Sequence, residues 1–198
     1  MTRFLLIRHG LTDTVGHSIA SWTPDVHLNA EGRRQAAALA EKLDGIPIHA
    51  IYSSPLERAL ETAEPLAQRR GLPVQVREAF GEVRFGKFSG HTLEHLVRRP
   101  AWRVYQKFRS GVRPPGGEFA VEVQARFVSE LRNICAKHLQ ETVAVVSHAD
   151  AIKAVVALFL GVSLDLFDRI LIAPASVTVL DLLHDRVLVH RVNWTPEL

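Results

Sequence analysis

The stretch RFLLIRHGLTD (residues 3–13) joins a continuous apolar run to an abruptly polar end. Residues 4–7 are four large apolar side chains in a row, a pattern typical of a strand that is covered on both faces. The run stops at Arg8, His9 and Gly10. Arg8 and His9 are therefore either the polar rim of a sheet or the start of a functional site.

Strand patterns and helix patterns alternate along the rest of the chain. Short apolar runs predict strands over residues 4–7, 50–53, 74–77, 142–146, 177–182 and 187–192. Apolar stripes and cap residues predict helices over residues 30–43, 55–70, 93–108, 118–139 and 150–160. Pro65 predicts a kink or break in the second helix. The alternation predicts an α/β fold, a three-layer sandwich with a mostly parallel sheet and helices on both faces, in a single domain over residues 1–198.

Composition sets limits on partners and location. The chain has 198 residues and is 47% hydrophobic, which is enough for one sizeable core. Its apolar runs are too short to cross a bilayer and no signal-peptide pattern is present, so we expect a cytoplasmic protein without a membrane partner. The single cysteine, Cys135, is interpreted as core filling.

The charge pattern hints weakly at a phosphorylated ligand. The net charge is only +3, but 19 of the 24 basic residues are arginines, and arginine is the better bidentate partner for phosphate. Solvated surface arginines explain the same bias. The basic residues are scattered without long like-charge runs, so no nucleic-acid partner is expected.

The predicted strand ends bring charged side chains together. Ligand sites in such sheets lie beyond the carboxyl ends of the strands. Arg8 and His9 follow the first strand, Arg58 lies about one turn after the second, and His148 follows the strand TVAVV (residues 142–146). Two arginines and two histidines at one edge would repel each other without an anion. A phosphoryl group resolves this conflict, because both side-chain types donate hydrogen bonds to its oxygens.

These residues fit the chemistry of phosphoryl transfer. A neutral histidine nitrogen is a competent nucleophile, and Gly10 is predicted to let the backbone approach the ligand closely. A carboxylic acid must protonate the leaving oxygen. Glu82, in a glycine-containing loop over residues 80–90, is the best-placed candidate, and Glu78 is its rival.

Four segments carry a resemblance to a known family. RHGLT (residues 8–12), SSPLERALETA (53–63), GEVRFGKFSG (81–90) and VSHADAIKA (146–154) follow one another in this order. Together they resemble the histidine phosphatase superfamily, the phosphoglycerate mutase-like group, over nearly the whole chain. The resemblance implies the phosphoglycerate mutase-like fold and a small phosphorylated substrate.

The resemblance also implies roles for individual residues. His9 would become the phosphohistidine, and Glu82 would protonate the leaving group and later help to activate water. The phosphoryl group would be held by Arg8, Thr12, Arg58 and His148. The implied enzyme is metal-independent and needs no cofactor, and a homodimer is left open.

The sequence departs from the family at several points. Val15 stands where many relatives have an asparagine that contacts the phosphoryl group, and Phe119 replaces a serine in the turn PPGGEF. Only 32 residues separate Glu82 from Pro115, whereas phosphoglycerate mutases carry a longer segment that closes over a second phosphate. We therefore predict a phosphatase of the small bacterial branch, with phosphomutase activity as the alternative.

Further alternatives concern the pocket mouth and the mode of action. Leu11, Val15, Trp22 and Phe85 are predicted to form an apolar mouth that favours a substrate with an apolar body over a highly anionic bisphosphate. A phospho-ligand binding domain without catalysis is a second alternative. The pattern HTLEH (residues 91–95) also matches one group of zinc proteases, but no third ligand is evident and a solvated helix face is the favoured explanation.

Overall fold

The computed structural model of the protein describes residues 1–195 and places a six-stranded sheet between two layers of helices. The strands are β1 (Thr2–Arg8), β2 (Ala50–Ser53), β3 (Val74–Val76), β4 (Thr142–Ser147), β5 (Val177–Leu182) and β6 (Val187–Trp194). The helices are α1 (Ala30–Lys42), α2 (Glu57–Arg70), α3 (Leu93–Val97), α4 (Pro100–Lys107), α5 (Ala120–Cys135) and α6 (Ala149–Leu160). Short 3₁₀ helices lie over Glu78–Phe80, Gly86–Phe88 and Leu164–Arg169.

The strands are arranged in the order β3-β2-β4-β1-β5-β6. The neighbouring pairs β3–β2, β2–β4 and β4–β1 are parallel, whereas β5 and β6 add an antiparallel edge. This confirms the mostly parallel α/β sandwich. The register places Arg8 opposite Ser147 and Ser53 opposite Val146, so three strands end at nearly the same level.

Residues 4–7 of strand β1 are all apolar because helices cover both faces of the sheet. Phe4 and Leu6 pack into a core that includes residues of α5 and α6. Leu5 and Ile7 point the other way, into a core that includes residues of α1 and α2. The period-two alternation of a strand thus divides one apolar run between two cores. Cys135 is partly buried against the first core, as predicted.

The helix boundaries differ from the predicted ones at two prolines and one turn. Helix α2 continues through Pro65, so the predicted break was wrong. The helix predicted over residues 93–108 is two helices, because Pro100 begins α4 at the first helical position, where its missing N–H costs nothing. Helix α5 ends at Cys135 instead of Leu139, and Gln140 takes a positive φ of 64° as the chain turns into β4.

Other boundaries agree with the sequence. Asn29 caps α1, and its side chain accepts a hydrogen bond from Gly32 N–H at 2.9 Å. Helix α2 ends at Gly71, whose φ of 62° suits glycine. Among residues 1–195, every helix is too short or too polar to cross a bilayer.

The core on the α5 side supplies a stability prediction. Phe127 is fully buried, and its ring centroid lies 4.8 Å from that of Phe80. Replacing Phe127 with alanine should lower the free energy of unfolding by about 3–5 kcal/mol, because the change removes buried apolar surface and leaves a cavity. Urea denaturation measures the loss. Leu139→Ala, at a side chain that is 66% exposed, is the control and should change stability by less than about 0.5 kcal/mol. Equal effects of the two variants would contradict this view of the core.

Candidate active site

The site is built where β1 and β4 end side by side. Arg8 pairs with Ser147 across the two strands, and His9 N–H donates to Ser147 O at 2.9 Å. The next residue of each chain segment is a histidine, and the ring centroids of His9 and His148 lie 5.2 Å apart. The parallel register alone therefore brings together two histidines that are 139 positions apart in the sequence.

The His9 ring has one orientation and one favoured tautomer. Its Nδ1 lies 2.7 Å from the carbonyl oxygen of Gly10, and a carbonyl only accepts, so Nδ1 carries the proton. The lone pair is consequently on Nε2. Burial, and then the positive charges of Arg58 and Arg8, hold the pKa of His9 well below its ordinary value. The ring is neutral at physiological pH, which is the state of a nucleophile.

Two arginines extend from different elements toward His9. Arg8 Nη1 donates to Ile172 O, and Arg58 Nη2 donates to Ser21 O, each at 2.7 Å. Among the described residues, Arg8 Nε and Arg58 Nη1 are buried without a hydrogen-bond partner. Burial lowers the pKa of both guanidinium groups, because removal from water disfavours their charged form. Free donors on two buried cations are suited to an oxyanion.

Gly10 is also required by packing, and its predicted role in letting the backbone approach the ligand stays a prediction. A Cβ atom on Gly10 would lie 2.6 Å from the backbone oxygen of Gly32 in α1, so the glycine permits close packing of the strand end against that helix. Gly10 N–H donates to Thr62 Oγ1 at 2.9 Å, and Thr62 Oγ1 donates to Arg58 O at 2.7 Å. Thr62 therefore connects the turn after His9 to the helix that carries Arg58.

The second histidine is held by a serine at the end of β2. His148 Nε2 lies 2.7 Å from Ser54 Oγ, while His148 Nδ1 is buried and has no partner among residues 1–195. Burial, followed by the charge of Arg58, lowers the pKa of His148 well below its ordinary value. His148 is thus a second neutral imidazole next to the first.

Glu82 is held at the cavity by backbone hydrogen bonds. The Trp22 indole donates to the Glu82 carbonyl at 2.6 Å and fixes the loop. The Glu82 carboxyl accepts from Val83 N–H at 2.9 Å and from Ala151 N–H in α6 at 3.2 Å. Burial, and then the nearby charge of Asp150, raises the pKa of Glu82 to about 7. A carboxyl with this pKa is protonated for part of the time at neutral pH.

Residues from segments far apart in the sequence, between positions 8 and 150, line a cavity with a volume of about 160 Å³. Its ionisable members are Arg8, His9, Arg58, Glu82 and Asp150. Its largest apolar members are Val15, Ile19, Phe85 and Leu93. The two arginines lie near the strand ends, and apolar, acidic and hydroxyl-bearing residues contribute to the rest of the wall.

A family model described as the histidine phosphatase superfamily (branch 1) matches residues 4–195. The chain belongs to the histidine phosphatase superfamily. The match confirms the family that four short motifs predicted. It also covers the strand ends, the Glu82 loop and the N-terminus of α6, all of which contribute to the cavity.

Three similar proteins are phosphatases by name. Phosphoserine phosphatase 1 of Hydrogenobacter thermophilus is 30% identical over 206 residues, covering 100% of this chain and 95% of the relative. The structure of a mycobacterial glucosyl-3-phosphoglycerate phosphatase with VO3 superposes with a TM-score of 0.86 at 30% identity, covering 96% of this chain and 98% of the other. A phosphoserine phosphatase from Entamoeba histolytica, in complex with 3-phosphoglyceric acid, gives a TM-score of 0.85 at 29% identity and covers 98% of each chain.

Some predicted residues of this histidine phosphatase lie away from the cavity. Of the four residues predicted for its mouth, Val15 and Phe85 line the cavity, whereas Leu11 and Trp22 do not. Trp22 instead supports the Glu82 loop through its indole N–H.

Thr12 and Glu78 also lie outside the cavity lining. The hydroxyl of Thr12 is buried against that of Thr14 at 2.8 Å, and Thr14 lines the cavity in its place. Glu78, the rival acid, is 81% exposed and lies 3.9 Å from Arg84, so Glu82 is the better-placed carboxyl.

Asp150 and Arg109 were not predicted as site residues from the sequence. Asp150 lines the cavity, and Arg109 is buried behind it with its Nη1 at 3.7 Å from Asp150 Oδ2. Arg109 Nη2 also lies 3.1 Å from Asp168 Oδ2. Asp150 stands inside the motif VSHADAIKA, which was the available signal. Arg109 follows α4 without any recognisable pattern, so only the tertiary contact reveals it.

The HTLEH segment does not form a metal site in this histidine phosphatase. Helix α3 begins at Leu93, so His91 lies outside it. The rings of His91 and His95 are stacked, with centroids 4.8 Å apart and an interplanar angle of 16°, rather than converging on one point. Within the described chain, no group of three or more His, Cys, Asp or Glu side chains is arranged to hold a metal ion. The zinc protease alternative is therefore not supported.

The buried Glu82 carboxyl predicts a pH-dependent stability difference. Because its folded-state pKa is raised to about 7, the stability that depends on its protonated form is complete at low pH and is lost as the pH rises through about 7. Glu82→Gln cannot ionise. Its stability relative to wild type should therefore increase by on the order of 1–3 kcal/mol between about pH 5.5 and about pH 8.5.

Denaturation of both proteins across this pH range measures the difference. Glu78→Gln removes an exposed carboxyl four positions away and is the matched control, for which no such trend is expected. A pH-independent difference for Glu82→Gln would show that Glu82 is ionised throughout.

Proposed function

We propose that this phosphatase hydrolyses small phosphomonoesters through a phosphohistidine formed on His9. One observation carries the proposal. The Nδ1 proton of His9 is engaged by Gly10 O, so the Nε2 lone pair is free beside two buried guanidinium groups. The names of its relatives, phosphoserine phosphatase and glucosyl-3-phosphoglycerate phosphatase, support a small phosphorylated metabolite as substrate.

The first half-reaction transfers the phosphoryl group to the enzyme. His9 Nε2 attacks phosphorus, and the bond from phosphorus to the leaving oxygen breaks. The leaving oxygen takes that electron pair and receives the proton of Glu82. Arg8 and Arg58 donate to the phosphoryl oxygens and stabilise the charge in the transition state.

His148 is fully buried and does not line the cavity, but its ring lies beside that of His9, and we propose it as a neutral donor to the phosphoryl group. Ser54 Oγ accepts from Leu56 N–H at 3.3 Å, which leaves its own proton available for His148 Nε2. The ring proton of His148 then lies on Nδ1, an atom that has no partner within the described residues. We assign this N–H to a phosphoryl oxygen.

The second half-reaction releases phosphate. Glu82 is now ionised and takes a proton from water as the water oxygen attacks phosphorus. The phosphorus–nitrogen bond breaks and its electron pair returns to His9 Nε2. Each group regains its initial state. The chain's own side chains supply nucleophile, charge and proton, so the proposal needs no metal or cofactor.

The cavity wall favours hydrolysis over a mutase reaction. A phosphoglycerate mutase must hold a second phosphate of its bisphosphorylated intermediate. Among the described residues that line the cavity, the permanent cations are Arg8 and Arg58, and both lie at the phosphoryl position. A purely binding role is disfavoured by the placement of both His9 and Glu82 in the cavity.

Several expectations remain predictions. Thr12 stays a proposed phosphate contact, with Thr14 as the hydroxyl that lines the cavity. A cytoplasmic location, a single domain over residues 1–198, the absence of a nucleic-acid or membrane partner and the option of a homodimer remain predictions from the sequence.

The covalent step predicts a trapped intermediate. Wild-type protein mixed with ³²P-labelled phosphomonoester and denatured within a turnover should carry label that is stable in alkali and lost in acid, as expected for a phosphorus–nitrogen bond. His9→Ala should carry no label and lose all measurable turnover. His95→Ala, at an exposed histidine outside the cavity, is the control and should label normally. A label that survives acid would point to a serine or threonine ester instead.

The role of Glu82 as an acid predicts a dependence on the leaving group. Glu82→Gln should slow hydrolysis of alkyl phosphates by about 10²–10⁴-fold, the usual range for a general acid. It should affect p-nitrophenyl phosphate much less, because p-nitrophenolate leaves without protonation. Steady-state rates on both substrates, with Glu78→Gln as control, measure the difference. An equal loss of rate on alkyl phosphates and on p-nitrophenyl phosphate would indicate that Glu82 has a structural role.

A further inference from the structure

The wall around the leaving group differs chemically from the phosphoryl position. Glu82 must reach the leaving oxygen if it acts as the proton donor, so the residues around Glu82 face the body of the substrate. Val15, Ile19, Phe85 and Leu93 contribute apolar surface there. The remaining ionisable group of the wall is Asp150.

Asp150 lies directly beside the proton donor. Its backbone N–H is 3.5 Å from Glu82 Oε2, and its carboxylate contributes to the raised pKa of Glu82. The Asp150 side chain is 19% exposed and lines the cavity, whereas its partner Arg109 is only 3% exposed. A ligand therefore meets the carboxylate and not the guanidinium.

The charges behind Asp150 keep this arrangement in place. Arg109 Nη1 lies 3.7 Å from Asp150 Oδ2, and Lys153 Nζ lies 3.6 Å from Asp150 Oδ1. Both cations also approach Asp168, at 3.1 Å and 3.5 Å respectively. The cluster therefore contains two cations and two anions, and of these four residues only Asp150 lines the cavity. A carboxylate accepts hydrogen bonds from hydroxyl and ammonium groups but cannot donate to an anion.

The geometry points to Asp150 as a specificity-determining residue that selects phosphomonoesters of neutral hydroxylated or amino-bearing alcohols over those with a second anionic group. This inference rests on the proposed function, because it assumes that the cavity binds the substrate. The Entamoeba histolytica relative has been seen with 3-phosphoglyceric acid, which carries a carboxylate. The present chain would discriminate against such a compound, because the described residues of its cavity wall add the carboxylate of Asp150 and no cation beyond Arg8 and Arg58.

Two pairs of substrates test the inference, since each pair differs chiefly by one carboxylate. The first is O-phosphoethanolamine against O-phosphoserine, and the second is racemic glycerol 3-phosphate against 3-phosphoglycerate. Phosphate release gives kcat/KM for each compound. Wild type should favour the member without the carboxylate by about tenfold or more, because like charges in contact in a binding site are strongly unfavourable.

Variants assign the preference to Asp150. Asp150→Asn and Asp150→Ser remove the charge and should bring both ratios close to one, mainly through higher kcat/KM for the anionic members. Asp168→Asn removes the other anion of the same cluster, which does not line the cavity, and should keep the wild-type ratios.

The outcomes are distinguishable. A wild-type preference for the carboxylate-bearing members, or ratios that Asp150→Asn and Asp150→Ser leave unchanged, would overturn the inference, and the wild-type ratios stand even if a variant does not fold. p-Nitrophenyl phosphate, which has no second anion, tests the proposed function separately. If wild type fails to hydrolyse it and all four metabolites, the proposed function fails as well. If it is hydrolysed and the ratios are wrong, only the role of Asp150 fails.

Discussion

Two like charges, the partly buried Arg8 and the buried Arg58, lie together at the carboxyl edge of the sheet, and the rest of the site depends on them. Arg8 and Arg58 each donate to one backbone carbonyl, and each retains a buried donor without a partner in the described part of the chain. Buried cations are costly unless an anion and further hydrogen bonds compensate them. Their field, together with burial, keeps His9 neutral and therefore nucleophilic.

The acidic side of the cavity is the complement of this cationic side. Burial and the charge of Asp150 raise the pKa of Glu82, while Arg58 and Arg8 lower it, and the balance lies at about 7. A carboxyl poised near neutrality can give a proton in one half-reaction and take one in the next. In the proposed mechanism this separation of charge places the phosphoryl group at the arginines and the leaving group at the carboxyls.

Much of the fold could be predicted because its signals are local. The apolar run before Arg8, the cap residue Asn29 and the glycine that ends α2 mark elements within a few residues of one another. The predicted break at Pro65 and the late end of α5 failed, since α2 continues through Pro65 and α5 already ends at Cys135. Gly10 was predicted to let the backbone approach the ligand, and the structure adds its packing against a helix backbone that the sequence places 22 positions away.

The sequence by itself determined the family and predicted the nucleophile and the acid, because these residue types occur in short motifs at the ends of predictable strands. Only the tertiary structure decided which nitrogen of His9 carries the proton, that Thr14 and not Thr12 lines the cavity, and that Asp150 lines the cavity with Arg109 behind it. These facts depend on distances between side chains from separate elements. Such distances are set by strand register and helix packing, and no local pattern records them.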